Sequence, residues 1–159
     1  MNEEKYRIGL AGEYQVASML LRLGYNTSIT LGNMKATDIV VLGESNRYLK
    51  VEVKTSRDPK KFLTGFFQKY SEPSKLHPDV WVLHLPREYS DVCSDVFYVL
   101  KHEDVRRLQL EVNNGHQPKK GKGCDQITVQ LLEEKGANYR DNWDIIKEIL
   151  ESWQKESHV

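Results

Sequence analysis

The chain has 159 residues, 39% hydrophobic and 29% charged, the balance of an ordinary globular protein. Its 23 basic and 23 acidic residues cancel, which excludes a non-specific polyanion binder and leaves any nucleic-acid contact to local patches. No apolar stretch reaches the length of a membrane span, and the opening Met-Asn-Glu-Glu-Lys lacks the apolar segment of a signal peptide. The expectation is therefore a cytoplasmic protein without membrane contact, folded as a single domain over residues 1–159, with Cys93 and Cys124 as reduced thiols.

Glu3 to Leu23 reads as a helix closed by Gly24, with Leu10, Val16, Ala17, Leu20 and Leu21 forming its apolar stripe. Glu13 falls on that stripe, three residues after Leu10 and four before Ala17. A carboxylate on a core-facing stripe is rare unless paired, hydrogen-bonded or near a metal. Tyr25 to Leu31 is predicted as a strand, broken by Gly32-Asn33, and Thr37 begins the next. Ile39 to Leu42 is a continuous apolar run, Gly43 to Asn46 is turn chemistry, and Tyr48 to Lys54 alternates. The polar stretch after Lys54 holds Arg57, Lys60 and Lys61. Phe62 to Tyr70 fits a short strand, a helix or a lid, and Ser71 to Pro78 has room for one helical turn at most. Asp79 to Leu85, apolar on both sides, predicts a strand covered on both faces. Val96 to Leu100 follows as a strand and Lys101 to Val112 as a helix. Asn113 to Asp125 is a glycine-rich loop with Lys119, Lys120 and Lys122. Ile127 to Leu132 is the last predicted strand. Asn138 to Gln154 is an amphipathic helix, with Trp143, Ile146, Leu150 and Trp153 at helical spacing. This order predicts a three-layer α/β sandwich with a central mixed sheet flanked by helices.

The chemistry concentrates between Asp38 and Lys54. Alternation puts Glu52 and Lys54 on one face of their strand, and an antiparallel return through the turn brings Asp38 near them. Adjacent carboxylates in a partly dry site repel unless one takes a proton or a cation sits between them. Their oxygens are hard ligands suited to Mg²⁺ or Mn²⁺, and a metal so held can acidify a water and stabilise charge on a phosphodiester. A neighbouring lysine can position the nucleophile or support the developing negative charge.

A helix glutamate, an aspartate opening a strand and Glu-x-Lys on the next strand resemble the PD-(D/E)XK nuclease superfamily, the restriction-endonuclease-like fold. Gly12-Glu13, Val16-Ala17, Leu20 and Gly24-Tyr25 are similar to the first helix of its smaller members, Holliday-junction resolvases and uncharacterised bacterial proteins among them. The resemblance covers about the first third of the chain; Thr37 stands where the motif has proline. It implies a Mg²⁺- or Mn²⁺-dependent nuclease acting on DNA, with Asp38 and Glu52 as metal ligands, Lys54 as the catalytic lysine and Glu13 as the helix carboxylate near the metal. Members of this size often dimerise to cut two strands, so a homodimer or a larger complex is expected.

Each feature also has a plainer reading. Asp38 alone would be a strand-edge turn residue, Glu52 and Lys54 a solvated pair, and Glu13 a carboxylate bonded to a backbone amide. Arg57, Lys60, Lys61, Lys119, Lys120 and Lys122 read as DNA-backbone contacts or as solvated loop charges. The five histidines lack ligand spacing and read as structural or surface residues. Trp143 and Trp153 read as core, with base stacking as the functional alternative. Zero net charge favours the rival from another class, a catalytically inactive nuclease-fold module that binds DNA or a protein partner. A purely structural ion-pair network is the third reading.

Overall fold

The structure, a computed structural model, describes residues 2–31, 37–70, 76–116, 125–134 and 138–156. The first helix, α1 (Glu3–Arg22), is held at its start by Asn2, whose side-chain oxygen accepts the amides of Glu4 and Lys5. It ends as the sequence predicts, the chain leaving through Gly24 at φ +93°, a conformation that costs glycine little. Gly12, Val16, Ala17 and Leu20 are its buried face.

Strand β1 is only Thr27–Ile29, shorter than the predicted 25–31, because β2 (Ile39–Leu42), its partner among the described strands, is itself four residues long. A 3-10 turn at Glu44–Asn46 then returns the chain into β3 (Tyr48–Thr55), antiparallel to β2. The undecided stretch 62–70 resolves into two short pieces, β4 (Lys61–Leu63) and α2 (Phe66–Tyr70). Next, β5 (Val80–Leu85) pairs parallel to β3 and antiparallel to β6 (Val96–Lys101). All six β5 residues are buried, as expected of a strand covered on both faces. α3 (His102–Val112) follows directly.

Two predictions at the C-terminal end need correction. Residues 127–132 are not one strand: β7 (Gln126–Thr128) is followed at once by α4 (Val129–Glu134). Thr128 Oγ1 accepts the amide of Leu131, capping the helix and ending the strand. The final helix, α5 (Asp144–Glu156), begins six residues later than the predicted Asn138. The intervening chain pairs with β6 instead, Val99 donating to the Tyr139 carbonyl, and turns at Asp141 with φ +52°.

The five-stranded mixed sheet runs β1-β2-β3-β5-β6, and β4 pairs with β7 in a separate two-stranded sheet. Alternation divides the main sheet's side chains between two cores. Val51, Val53, Val80, Val82, Phe97 and Val99 pack with α1 and α5 through Val16, Leu20 and Ile146. On the other face Trp81, Leu83, Tyr98 and Leu100 pack with Phe62, Phe66, Leu108 and Leu132. Each fully buried aliphatic or aromatic side chain contributes about 1.5–3 kcal/mol, so the two cores fix the sheet from both sides. The arrangement is the predicted α/β sandwich with its central mixed sheet.

His102 is structural: its Nδ1 accepts the indole N–H of Trp81 at 3.1 Å, and burial with nearby His77 pushes it down to about 4. His84 pairs with Asp95, His77 stacks on His102, and His116 is exposed; His158 lies outside the described residues. Among the described residues no helix is long and apolar enough to cross a membrane.

Candidate active site

The site forms where β2 stops and β3 continues. The β2–β3 register pairs Ile39 with Val51, so the next step outward sets Asp38 opposite Glu52. Asp38 continues the ladder in two ways. Its N–H donates to the Val51 carbonyl at 3.0 Å, and its carboxylate Oδ2 accepts the Val53 amide at 2.7 Å. A side chain thus takes the place of the missing strand backbone, which satisfies β3 and fixes the carboxylate.

Glu52, 1% exposed, is the deepest charge in the site. Burying a carboxylate costs several kcal/mol unless partners compensate. Two do: Lys54 Nζ lies 2.6 Å from Glu52 Oε1, and Lys69 Nζ lies 2.9 Å from the same oxygen. Burial pushes the Glu52 carboxyl up, but the two ammonium groups outweigh it and hold it below the usual range. No hydrogen bond reaches Oε2 among the described residues.

Asp38 behaves oppositely. Burial and the Glu52 charge raise its carboxyl, and the Val53 amide, Lys54 and Lys69 only partly offset them. Glu13 reaches the site from α1, half-buried. Burial, then the charge of Asp38, push its carboxyl up to about 7, with Lys54 opposing and Glu52 adding. Glu13, Asp38, Glu52 and Lys54 are therefore brought together, as the sequence predicts. One carboxylate is neutralised by lysines, and the other two carry repulsion that the lysines only partly relieve.

Gly12 explains how Glu13 comes so close. A Cβ at residue 12 would lie 1.8 Å from Thr55 Oγ1 and 3.1 Å from His84 Nδ1, so only glycine lets α1 approach the end of β3.

The raised Glu13 carboxyl carries a stability prediction. Between pH 4.5 and about 7 the folded chain holds this proton and the unfolded chain releases it, so stability falls as pH rises through that window. In chelator, Glu13→Gln should exceed the wild type at pH 8 by about 1–2 kcal/mol after solvent screening, and by nothing at pH 4.5. Urea melts at the two pH values measure this. An equal gain at both would mean the carboxyl titrates normally.

Two further neighbours of these carboxylates do not follow from the sequence. Lys69 and Tyr70 both lie on α2; the Tyr70 hydroxyl is buried with no hydrogen-bond partner among the described residues, and burial, then Glu52 and Asp38, disfavour its ionisation. No periodicity within five residues announces such a helix. The predicted basic contacts are dispersed. Arg57 is exposed and paired with Glu4 of α1 at 3.1 Å, Lys60 is exposed, and Lys61 is half-buried in β4. Lys119, Lys120 and Lys122 lie outside the described residues. Among the described residues no three His, Cys, Asp or Glu side chains form a cluster that could hold a metal ion.

The fold is similar to that of a bacterial homing endonuclease, I-Ssp6803I, with a TM-score of 0.57 and 16% identity over 94% of this chain and 95% of that one. At that identity the likeness is one of fold. No family model matches the chain, and no curated protein matches it either.

Proposed function

We propose that this chain is a Mg²⁺- or Mn²⁺-dependent endonuclease of the PD-(D/E)XK kind that hydrolyses DNA phosphodiester bonds, with residues 1–159 as one nuclease-like domain. One observation carries the reading. Asp38, Glu52 and Lys54 converge where β2 ends beside β3, with Glu13 arriving from α1, and two of the three carboxyls are raised by burial and mutual repulsion. A nuclease-like fold shared with a homing endonuclease supports it.

The donor set fits a hard divalent cation. Such ions commonly take one or two carboxylates and fill their remaining positions with water and phosphate, so a three-carboxylate cluster is not required. Asp38 and Glu52 would hold the ion, and its charge would relieve the repulsion that raises Asp38 and Glu13. When bound, it supplies Lewis-acid polarisation of the phosphate and lowers the pKa of water. Lys54 Nζ then orients the attacking water and supports charge on the phosphoryl oxygens. Glu13, reaching the site from α1, would take the proton the water gives up. The water oxygen bonds to phosphorus as the bond to the leaving sugar oxygen breaks, and that oxygen takes up a proton.

A second reading has its own observation. Glu52 is already neutralised by two lysines of the same chain, and net charge is zero. A catalytically inactive module that binds DNA or a protein partner would tolerate such a site.

Mn²⁺-dependent cleavage of plasmid, linear duplex, single-stranded and four-way-junction DNA separates the two. The nuclease should cut at least one of them, with Lys54→Ala about a hundredfold slower. Mn²⁺ should also raise the melting temperature, since an ion bound only to the folded state stabilises it. Neither cleavage nor a thermal response to Mn²⁺ would leave the binding module.

A further inference from the structure

α2 places a second ammonium in the site. Lys69 Nζ and Lys54 Nζ share Glu52 Oε1, although Lys54 is two residues from Glu52 on β3 and Lys69 arrives from α2, 17 residues along the chain from Glu52. One carboxylate carries one charge, so one of the two ammonium groups exceeds what Glu52 requires. They differ in burial: the Lys54 side chain is 23% exposed and that of Lys69 is 50% exposed. The backbone of Lys69 is nonetheless fixed, because Phe66, Phe67 and Tyr70 of the same short helix are buried against Trp81 and its neighbours. A firmly anchored residue therefore offers a half-solvated charge on a flexible four-carbon stem. Such a group can exchange one anion for another without moving the backbone.

We infer that Lys69 is a second active-site lysine, parked on Glu52 in the substrate-free protein, that passes to a non-bridging oxygen of the DNA phosphodiester when a divalent cation takes Glu52. The inference rests on the nuclease reading. Its physical content is competition for one carboxylate: the ammonium weakens cation binding while no DNA is present. A phosphate that draws Lys69 away strengthens it, so cation and DNA bind with positive coupling.

The test is Lys69→Met, which keeps the length of the stem and removes the charge, beside Lys69→Arg, which keeps a charge. Mn²⁺ affinity of the DNA-free protein is measured by calorimetry, and kcat/KM by plasmid cleavage. Lys69→Met should bind Mn²⁺ about three- to tenfold more tightly, because a competitor for Glu52 is gone. It should nevertheless cleave with a kcat/KM about ten- to a hundredfold lower, and Lys69→Arg should recover most of that loss. A residue that only neutralised Glu52 would, once removed, tighten Mn²⁺ binding without slowing cleavage, and that result would overturn the inference. Mn²⁺ binding and cleavage that fall together, or that both stay at the wild-type level, would overturn the inference while leaving the nuclease intact. A wild type that neither binds Mn²⁺ nor cleaves would overturn the nuclease reading itself, and the role of Lys69 with it.

Discussion

In the proposed site, Asp38→Asn is expected to reduce Mn²⁺-dependent DNA cleavage by at least about a thousandfold, because it would remove a ligand from a cation whose contribution to phosphoryl chemistry is several kcal/mol. The substitution is nearly isosteric, and the amide oxygen can still accept the Val53 N–H that Asp38 Oδ2 accepts at 2.7 Å. The β2–β3 junction therefore survives. The stability effect has the opposite sign. Burial and Glu52 raise the Asp38 carboxyl, so at neutral pH its ionised form is disfavoured in the folded chain relative to the unfolded one. A neutral side chain escapes that penalty, and the variant should melt at or above the wild-type temperature in chelator. Adding Mn²⁺ should raise the wild type but not the variant. Lower cleavage with undiminished stability is the signature of a site that gives up stability for function. A variant that still cleaves, or that still gains stability from Mn²⁺, would remove Asp38 from the metal's coordination and sink the assignment.

The residues legible in the sequence are those whose proximity follows from local rules. Asp38, Glu52 and Lys54 belong to one hairpin, so the two-residue period and the turn at Gly43 to Asn46 are enough to bring them together. Glu13 was legible because a carboxylate interrupts a helical apolar stripe, and the structure finds it half-buried beside Asp38. Lys69 was not, because its approach depends on α2 folding back against Trp81, a contact no spacing encodes. The C-terminal corrections follow the same division. Val129 to Glu134 can serve either strand or helix, and the Thr128 cap decided for helix. Asn138 stands at the head of the predicted helix, but Tyr139 to Asp141 pair with β6, where an alignment of Tyr139 with Val99 outweighs local propensity. The Asp141-Asn142 pair was the available signal, since such residues favour turns and tolerate positive φ.

Gly12→Ala puts the largest stability effect at a residue with no chemistry of its own. The added methyl would meet Thr55 Oγ1 at 1.8 Å and Thr55 Cβ at 3.0 Å, and neither belongs to the free end of a flexible side chain. Either Thr55 distorts the end of β3 or α1 moves outward, and overpacking of this kind costs about 1–3 kcal/mol. For a chain of this size that corresponds to a melting temperature lower by about 3–10 °C. The cause can be isolated. Among the described residues Thr55 Oγ1, which is buried, has no hydrogen-bond partner, so Thr55→Ala forfeits none of those bonds, and in the double variant it removes the nearest clash. The pair should couple favourably by about 1 kcal/mol or more, short of full recovery because the Cβ of residue 55 at 3.0 Å and His84 Nδ1 at 3.1 Å both remain. An outward shift of α1 also carries Glu13 toward solvent and away from Asp38, which weakens the two largest of the causes that raise its carboxyl. Gly12→Ala should therefore flatten the fall in stability between pH 4.5 and 7 as well as lower the melting temperature. A variant with wild-type stability, or one that loses stability yet keeps the full pH dependence, would mean that the glycine does not set the distance between α1 and the site.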